Sequence, residues 1–177
     1  MFSNTRNIIY ISLYSIIIAI CSWIYIPGVI PVTMQTFAIF MAFLMLGGEK
    51  ALCSIVLYIF IGAFGVPVFS GVSGGIGVIL GPSGGYIIGF IFSAVTYILF
   101  SRFFKNPSFL FNGLILLISL LVCYIFGCAW YILFYSQTEN FFNIIKICVL
   151  FFIPFDIIKV ILALIVSNRI KCLLHYD

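Results

Sequence analysis

Charge is the scarcest thing in this sequence. Asp and Glu number 4, Lys and Arg number 8, and charged residues make up 7% of the 177. Soluble globular domains carry about 25%, so an ordinary water-soluble domain is excluded. The basic residues are scattered and form no run interleaved with aromatics, which excludes a nucleic-acid interface. Metal ligands are scarce as well. The one histidine is His175, and the six cysteines contain no Cys-x-x-Cys pair. Neither a zinc site nor a disulfide framework fits that pattern, and the cysteines read as small apolar residues of buried helices. No Gly-x-x-x-x-Gly-Lys-Ser/Thr loop is present, so the chain has no nucleotide cradle of its own. Gly75-Ile-Gly-Val-Ile-Leu80 lacks the third glycine of a dinucleotide fingerprint. There is no His-Glu-x-x-His string and no pair of carboxylates within the apolar segments. No catalytic residue, metal site or cofactor is expected.

What is present is apolar. Hydrophobic residues make up 65% of the chain, and the mean hydropathy is +1.36. The sequence predicts an all-α integral membrane protein, one transmembrane domain over residues 1–177. A spanning helix needs about 20 mainly apolar residues. Six segments fit: 8–26, 35–46, 51–64, 85–101, 109–135 and 147–167. The second is short unless the residues before it also lie at membrane depth. The first follows Arg6 in the manner of a signal peptide. Its apolar run exceeds the ~7–15 residues of a signal core, so an uncleaved first helix is expected.

The loops sort the charges. Numbered alternately, one side receives Arg6, Lys50, Arg102, Lys105, Arg169 and Lys171, and the other only Lys146. The positive-inside rule makes the first side cytoplasmic, with both termini inside. Three segments then face outward: 27–34, 137–140 and the glycine-rich stretch 65–86 between helices three and four. That stretch holds Gly71, Gly74, Gly75, Gly77, Gly81, Gly84 and Gly85, with Pro67 and Pro82, and no charge. Gly and Pro are the poorest helix formers, yet the stretch is too apolar for a solvated loop. Irregular backbone at membrane depth must be buried in protein or line a wet cavity. It therefore reads as a packed lid over a binding site, with Gly74, Gly75, Gly84 and Gly85 as its thin points.

Two charged residues fall well inside a span, Asp156 and Lys159 in Pro154-Phe-Asp-Ile-Ile-Lys159. Three residues apart, they share one helix face. Charge at bilayer depth costs roughly 2.5–3.5 kcal/mol and usually faces the interior with a task. One reading is mutual neutralisation. The other gives Lys159 a ligand carboxylate and Asp156 ligand N–H groups, which suits a small anion with an apolar body and an amide-like head. Gln35 and Thr36 open the second helix on the same side, where a glutamine either bonds ligand or caps backbone. Ser73, Ser83 and Tyr86 could bond a ligand head group, although serines in turns also bond locally. Ser15 and Ala19, at i and i+4, form a small-xxx-small step on the first helix that lets another helix approach.

Four blocks carry a resemblance: Ile30-Pro-Val-Thr-Met-Gln-Thr36, Gly62-Ala-Phe-Gly-Val-Pro-Val-Phe69, Gly74-Gly-Ile-Gly-Val-Ile-Leu-Gly-Pro-Ser-Gly-Gly-Tyr-Ile-Ile-Gly-Phe90 and Pro154-Phe-Asp-Ile-Ile-Lys159. In that order they resemble the BioY family, biotin-specific substrate-binding (S) components of energy-coupling-factor transporters. The resemblance implies six helices, both termini inside and a biotin site near the outer face of a cell-membrane protein. It further implies a transmembrane coupling subunit and two cytoplasmic ATPases as partners, and it assigns Asp156 and Lys159 to biotin. It places coupling-subunit docking on the first helix, where Ser15 and Ala19 stand in an Ala-x-x-x-Ala pattern. Two readings from other classes stand beside it. One is a self-sufficient carrier of a small organic anion in which Asp156 titrates with a coupling proton. The other is an assembly protein in which the Asp156–Lys159 pair only fixes helix register.

Overall fold

The structure, a computed structural model, describes residues 5–103, 108–135 and 144–174. Lys105, the whole of the expected outward segment 137–140, and His175 lie outside these residues. Helix α1 runs over Thr5–Trp23, α2 over Gln35–Leu46 and α3 over Gly48–Ala63. A one-turn α4, Ile76–Ile79, precedes α5 at Gly84–Phe103 and α6 at Phe109–Phe134. A π-helical turn, Lys146–Leu150, leads into α7, Ile153–Leu174. Among the described residues, four segments are long and apolar enough to cross a membrane: Thr5–Trp23, Gly84–Phe103, Phe109–Phe134 and Cys148–Leu173. The protein is a helical, multi-pass membrane protein.

Helix α2 is the hub. It packs on α1, α3 and α7, and Ala38 through Leu44 are all buried. At 1.5 Å per residue it spans only ~18 Å, less than the ~30 Å hydrocarbon core. A short helix is tolerated there because protein sheathes it. Phe43 stacks on Tyr97 of α5 with ring centroids 4.7 Å apart. Around this hub α5 lies along α6, the most extensive helix pair in the fold. Gly85 and Gly89 of α5 and Gly127 of α6 make the close approach possible. A side chain at Gly89 would meet the Cys123 carbonyl at 3.0 Å, and one at Gly127 would enter the Tyr86 ring.

The structure departs from the expected boundaries at four places. Helix α1 stops at Trp23 rather than continuing to residue 26. Tyr25–Ile26 instead pairs antiparallel with Val32–Thr33, with Tyr25 opposite Thr33 and Ile26 opposite Val32. We label these strands β1 and β2. Ile24, Tyr25 and Ile26 favour extended backbone, and Pro27 disfavours the helical region for Ile26. Second, the connection between the expected segments 35–46 and 51–64 is one residue, Gly47, at φ 79°. That left-handed angle suits glycine, so Glu49 and Lys50 join the first turn of α3.

Third, the glycine-rich stretch, expected as irregular packed backbone, contains the one-turn helix α4. Gly75 N–H donates to the Gly62 carbonyl at 2.7 Å, and Phe69 and Ser73 exchange backbone bonds across a tight turn. Fourth, the last span is divided before Pro154. Proline is tolerated in the first turn of a helix and not deeper. The chain accordingly enters through the π-turn Lys146–Leu150 and begins α7 at Ile153.

The two ends of the bundle differ in character. One gathers Gly47, Gly48, Ser101 and Lys171 around a shallow recess, beside an exposed Arg102–Glu49 ion pair at 2.9 Å. The other gathers the β1–β2 hairpin, the glycine-rich stretch and the first turn of α7.

Candidate functional site

A cavity opens at the hairpin end, about 560 Å³ counting the space at its mouth. Its apolar wall comes from Ile30 and Pro31 of the hairpin, Phe69, Ile87 and Phe90, with Leu120 and Phe152 opposite. Its polar wall is Thr33, Gln35, Thr36, Tyr124, Asp156 and Lys159, with Ser70, Ser83 and Tyr86 nearer the glycine-rich stretch.

Asp156 and Lys159 anchor the polar wall. Lys159 Nζ lies 2.7 Å from Asp156 Oδ1, with the side chains only 6% and 2% exposed. Helical i, i+3 spacing turns both inward from α7. A buried charge with too few partners is costly, and here the partners come from three other elements. Thr36 of α2 donates to Asp156 Oδ1 at 2.9 Å, and Tyr124 of α6 donates to Oδ2 at 2.6 Å. Lys159 donates to the Thr33 carbonyl of β2 at 2.8 Å and to Thr36 Oγ1 at 3.1 Å. All three ammonium protons are thus directed at protein acceptors. Ligand carboxylate bound at Lys159 would have to replace one of them.

The other expected residues fall into three groups. Gln35 lines the cavity, but its amide N–H donates to Tyr58 Oη at 2.9 Å. Tyr86 lines it as a ring wall, stacked with Phe152 at 5.8 Å, while its hydroxyl donates to the Cys148 carbonyl of the π-turn at 2.6 Å. Ser73 is not on the cavity wall, and its hydroxyl donates locally to the Ser70 carbonyl at 2.7 Å. Gly74, Gly75, Gly84 and Gly85 are also absent from the wall. They pack the stretch against the bundle. A side chain at Gly74 would collide with the Val66 carbonyl, and one at Gly84 with the Ile79 carbonyl. At Gly85 it would meet the Phe126 carbonyl at 2.8 Å and the Trp130 side chain, while Gly75 adopts φ 97°.

Gly71-Val-Ser-Gly-Gly75 and Gly81-Pro-Ser-Gly-Gly85 match the Gly-x-Ser-x-Gly string. A nucleophile elbow needs a strand-to-helix turn and a histidine; the described residues supply no histidine.

Ser15 and Ala19 are buried on α1 and border a separate, apolar groove with Ile20, Trp23, Tyr58 and Val68. Trp23 Nε1 donates to the Pro67 carbonyl at 2.9 Å, and Ser22 donates to the Val68 carbonyl, so the groove floor is tied to the glycine-rich stretch.

Comparison with known proteins now bears on this cavity. A family model described as the BioY family matches residues 1–176. The chain belongs to the BioY family. Among its BioY relatives, "Biotin transporter BioY" of Thermotoga maritima is 31% identical over 167 residues, 94% of this chain and 96% of that protein. "Probable biotin transporter BioY" of Pyrococcus horikoshii is 38% identical over 148 residues, 81% of this chain and 82% of its own. A crystal structure of the S-component for biotin from an ECF-type ABC transporter superposes with a TM-score of 0.82 at 28% identity, covering 94% of this chain and 90% of that one.

Tyr124 and Thr33 are site residues beyond those that the sequence singles out. Tyr124 had a usable signal. Gly113, Leu116, Leu120, Tyr124, Gly127 and Tyr131 recur at helical spacing and are buried together, and the glycines mark that stripe as the inward face. Thr33 acts through its backbone carbonyl, which side-chain identity does not reveal.

Proposed function

We propose that this BioY-family protein binds biotin in the cavity beside Asp156 and Lys159, as the substrate-specific component of an energy-coupling-factor transporter. The observation that carries the reading is the buried Asp156–Lys159 pair on the wall of a mostly apolar cavity. Its chemistry suits a ligand with an apolar body, hydrogen-bonding N–H groups and a carboxylate. Asp156 serves the N–H groups, and Lys159 meets the carboxylate by releasing the Thr33 carbonyl. Gln35 and Tyr86 shape the polar and aromatic sides of the site. The stretch 65–86 caps it, Gly74, Gly75, Gly84 and Gly85 setting how closely that cap packs, with Ser73 bracing its turn.

In this reading the chain crosses the membrane six times. The shorter α2 and α3 complete the set, both termini are cytoplasmic, and the cavity faces outward. A transmembrane coupling subunit docks on the α1 groove at Ser15 and Ala19, and two cytoplasmic ATPases supply the energy. The chain is a transporter component and not an enzyme. Equilibrium binding of labelled biotin to the purified chain tests the site: Asp156→Asn and Lys159→Ala are each expected to weaken binding about 10- to 150-fold. Wild-type affinity in both variants would refute the assignment. Uptake into liposomes tests the energetics, since proton-driven accumulation by the chain alone would contradict dependence on ATPases.

A further inference from the structure

A carboxylate has four lone-pair positions on its two oxygens. On Asp156, Oδ1 accepts from Thr36 at 2.9 Å and Lys159 at 2.7 Å, which fills it. Oδ2 accepts from Tyr124 at 2.6 Å, so one position remains open there. The Tyr124 hydroxyl has committed its only proton, and its oxygen can now only accept. Tyr124 and Asp156 both line the cavity and both are buried. Among the described residues, the wall at this point therefore offers two adjacent acceptors and no donor.

We infer that Tyr124 sets the hydrogen-bonding sense of the site. It holds Asp156 as a fixed acceptor with one open position and adds an acceptor of its own beside it, so the wall selects N–H donors such as those of a cyclic urea. The inference rests on the proposed biotin site and extends it to a residue on α6. Tyr124 acts on ligand choice chiefly by positioning Asp156.

The test uses the purified full chain and two ligands. One is biotin. The other is the analogue in which ring oxygens replace both ureido N–H groups. Wild type should strongly prefer biotin. Tyr124→Phe should bind biotin about tenfold or more weakly, the scale of one hydrogen bond to a charged group, while its affinity for the oxygen analogue changes less than about twofold by the same scale. The preference ratio thus falls. Tyr124→Gln, whose amide both donates and accepts, should recover part of the ratio and carries the test if the phenylalanine variant fails to fold. An unchanged ratio in the folded variants, whether affinity stays level or drops equally for both ligands, overturns the inference. Failure of the wild type to bind biotin would instead overturn the proposed function.

Discussion

Removing one member of the buried pair should cost the protein more than removing both. Asp156→Asn keeps the side-chain shape and leaves Lys159, 5% exposed, as a cation without its carboxylate at 2.7 Å. Solvent does little to screen a site so buried. Breaking such a pair costs about 3–5 kcal/mol, because an uncompensated charge stays buried. Lys159→Met should cost a similar amount: Asp156 retains Thr36 and Tyr124 as donors but loses its counter-charge. The double variant Asp156→Asn/Lys159→Met removes both charges at nearly constant volume and should return to within about 1–2 kcal/mol of wild type, since replacing a buried pair is often near neutral. Binding should behave differently. Each single variant loses a charged hydrogen bond to ligand, about 10- to 150-fold in Kd, and the double variant should not regain it. Thermal unfolding in detergent and labelled-biotin binding on the same preparations separate the two effects. Double-mutant stability as low as that of the singles would refute the argument about uncompensated charge. Wild-type binding by the double variant would refute the site.

Three further outcomes follow from the packing. Gly74→Val and Gly85→Val each drive a side chain into backbone, the Val66 carbonyl in one case and the Phe126 carbonyl at 2.8 Å in the other; overpacking costs about 1–3 kcal/mol or more. Lower folded yield and weaker biotin binding are expected, and normal yield with normal affinity in both would refute the packed-cap reading. Ser15→Leu should leave biotin binding by the isolated chain within about twofold but abolish uptake with the coupling module, measured in vesicles. Undiminished uptake would remove α1 as the docking helix. Tyr86→Phe removes the hydrogen bond to the Cys148 carbonyl at 2.6 Å. It should lower the unfolding temperature by an amount matching about 0.5–1.5 kcal/mol, and no shift would show that the π-turn needs no such tie.

The chain's helices were legible because apolar run length acts locally. The range of α2, 35–46, follows from sequence alone, and its tolerated shortness follows only from burial on every side. The ends of α1 and α7 were less legible. A run such as Trp23-Ile-Tyr-Ile26 is apolar whether helical or extended, and only its pairing with Val32–Thr33 decides. Within the cavity, Asp156 and Lys159 stood out as charges in an apolar run. Tyr124 was marked only by the glycine-bearing stripe of α6, and Thr33, which contributes a carbonyl, needed three-dimensional proximity. The glycines had a clear reason to exist but an ambiguous location. Close packing and lining a ligand both call for small residues, and the positions of Val66, Trp130 and Phe126 favour packing.

Biotin is expected in the cavity between the β1–β2 hairpin, the glycine-rich stretch and the first turn of α7, and a crystal structure of the chain grown with biotin would show where it binds. The ligand should lie within hydrogen-bonding distance of Asp156, with the Lys159 ammonium drawn from the Thr33 carbonyl to the ligand carboxylate. Biotin seen elsewhere on the chain, with the Asp156–Lys159–Thr33 bonds unchanged, would contradict it.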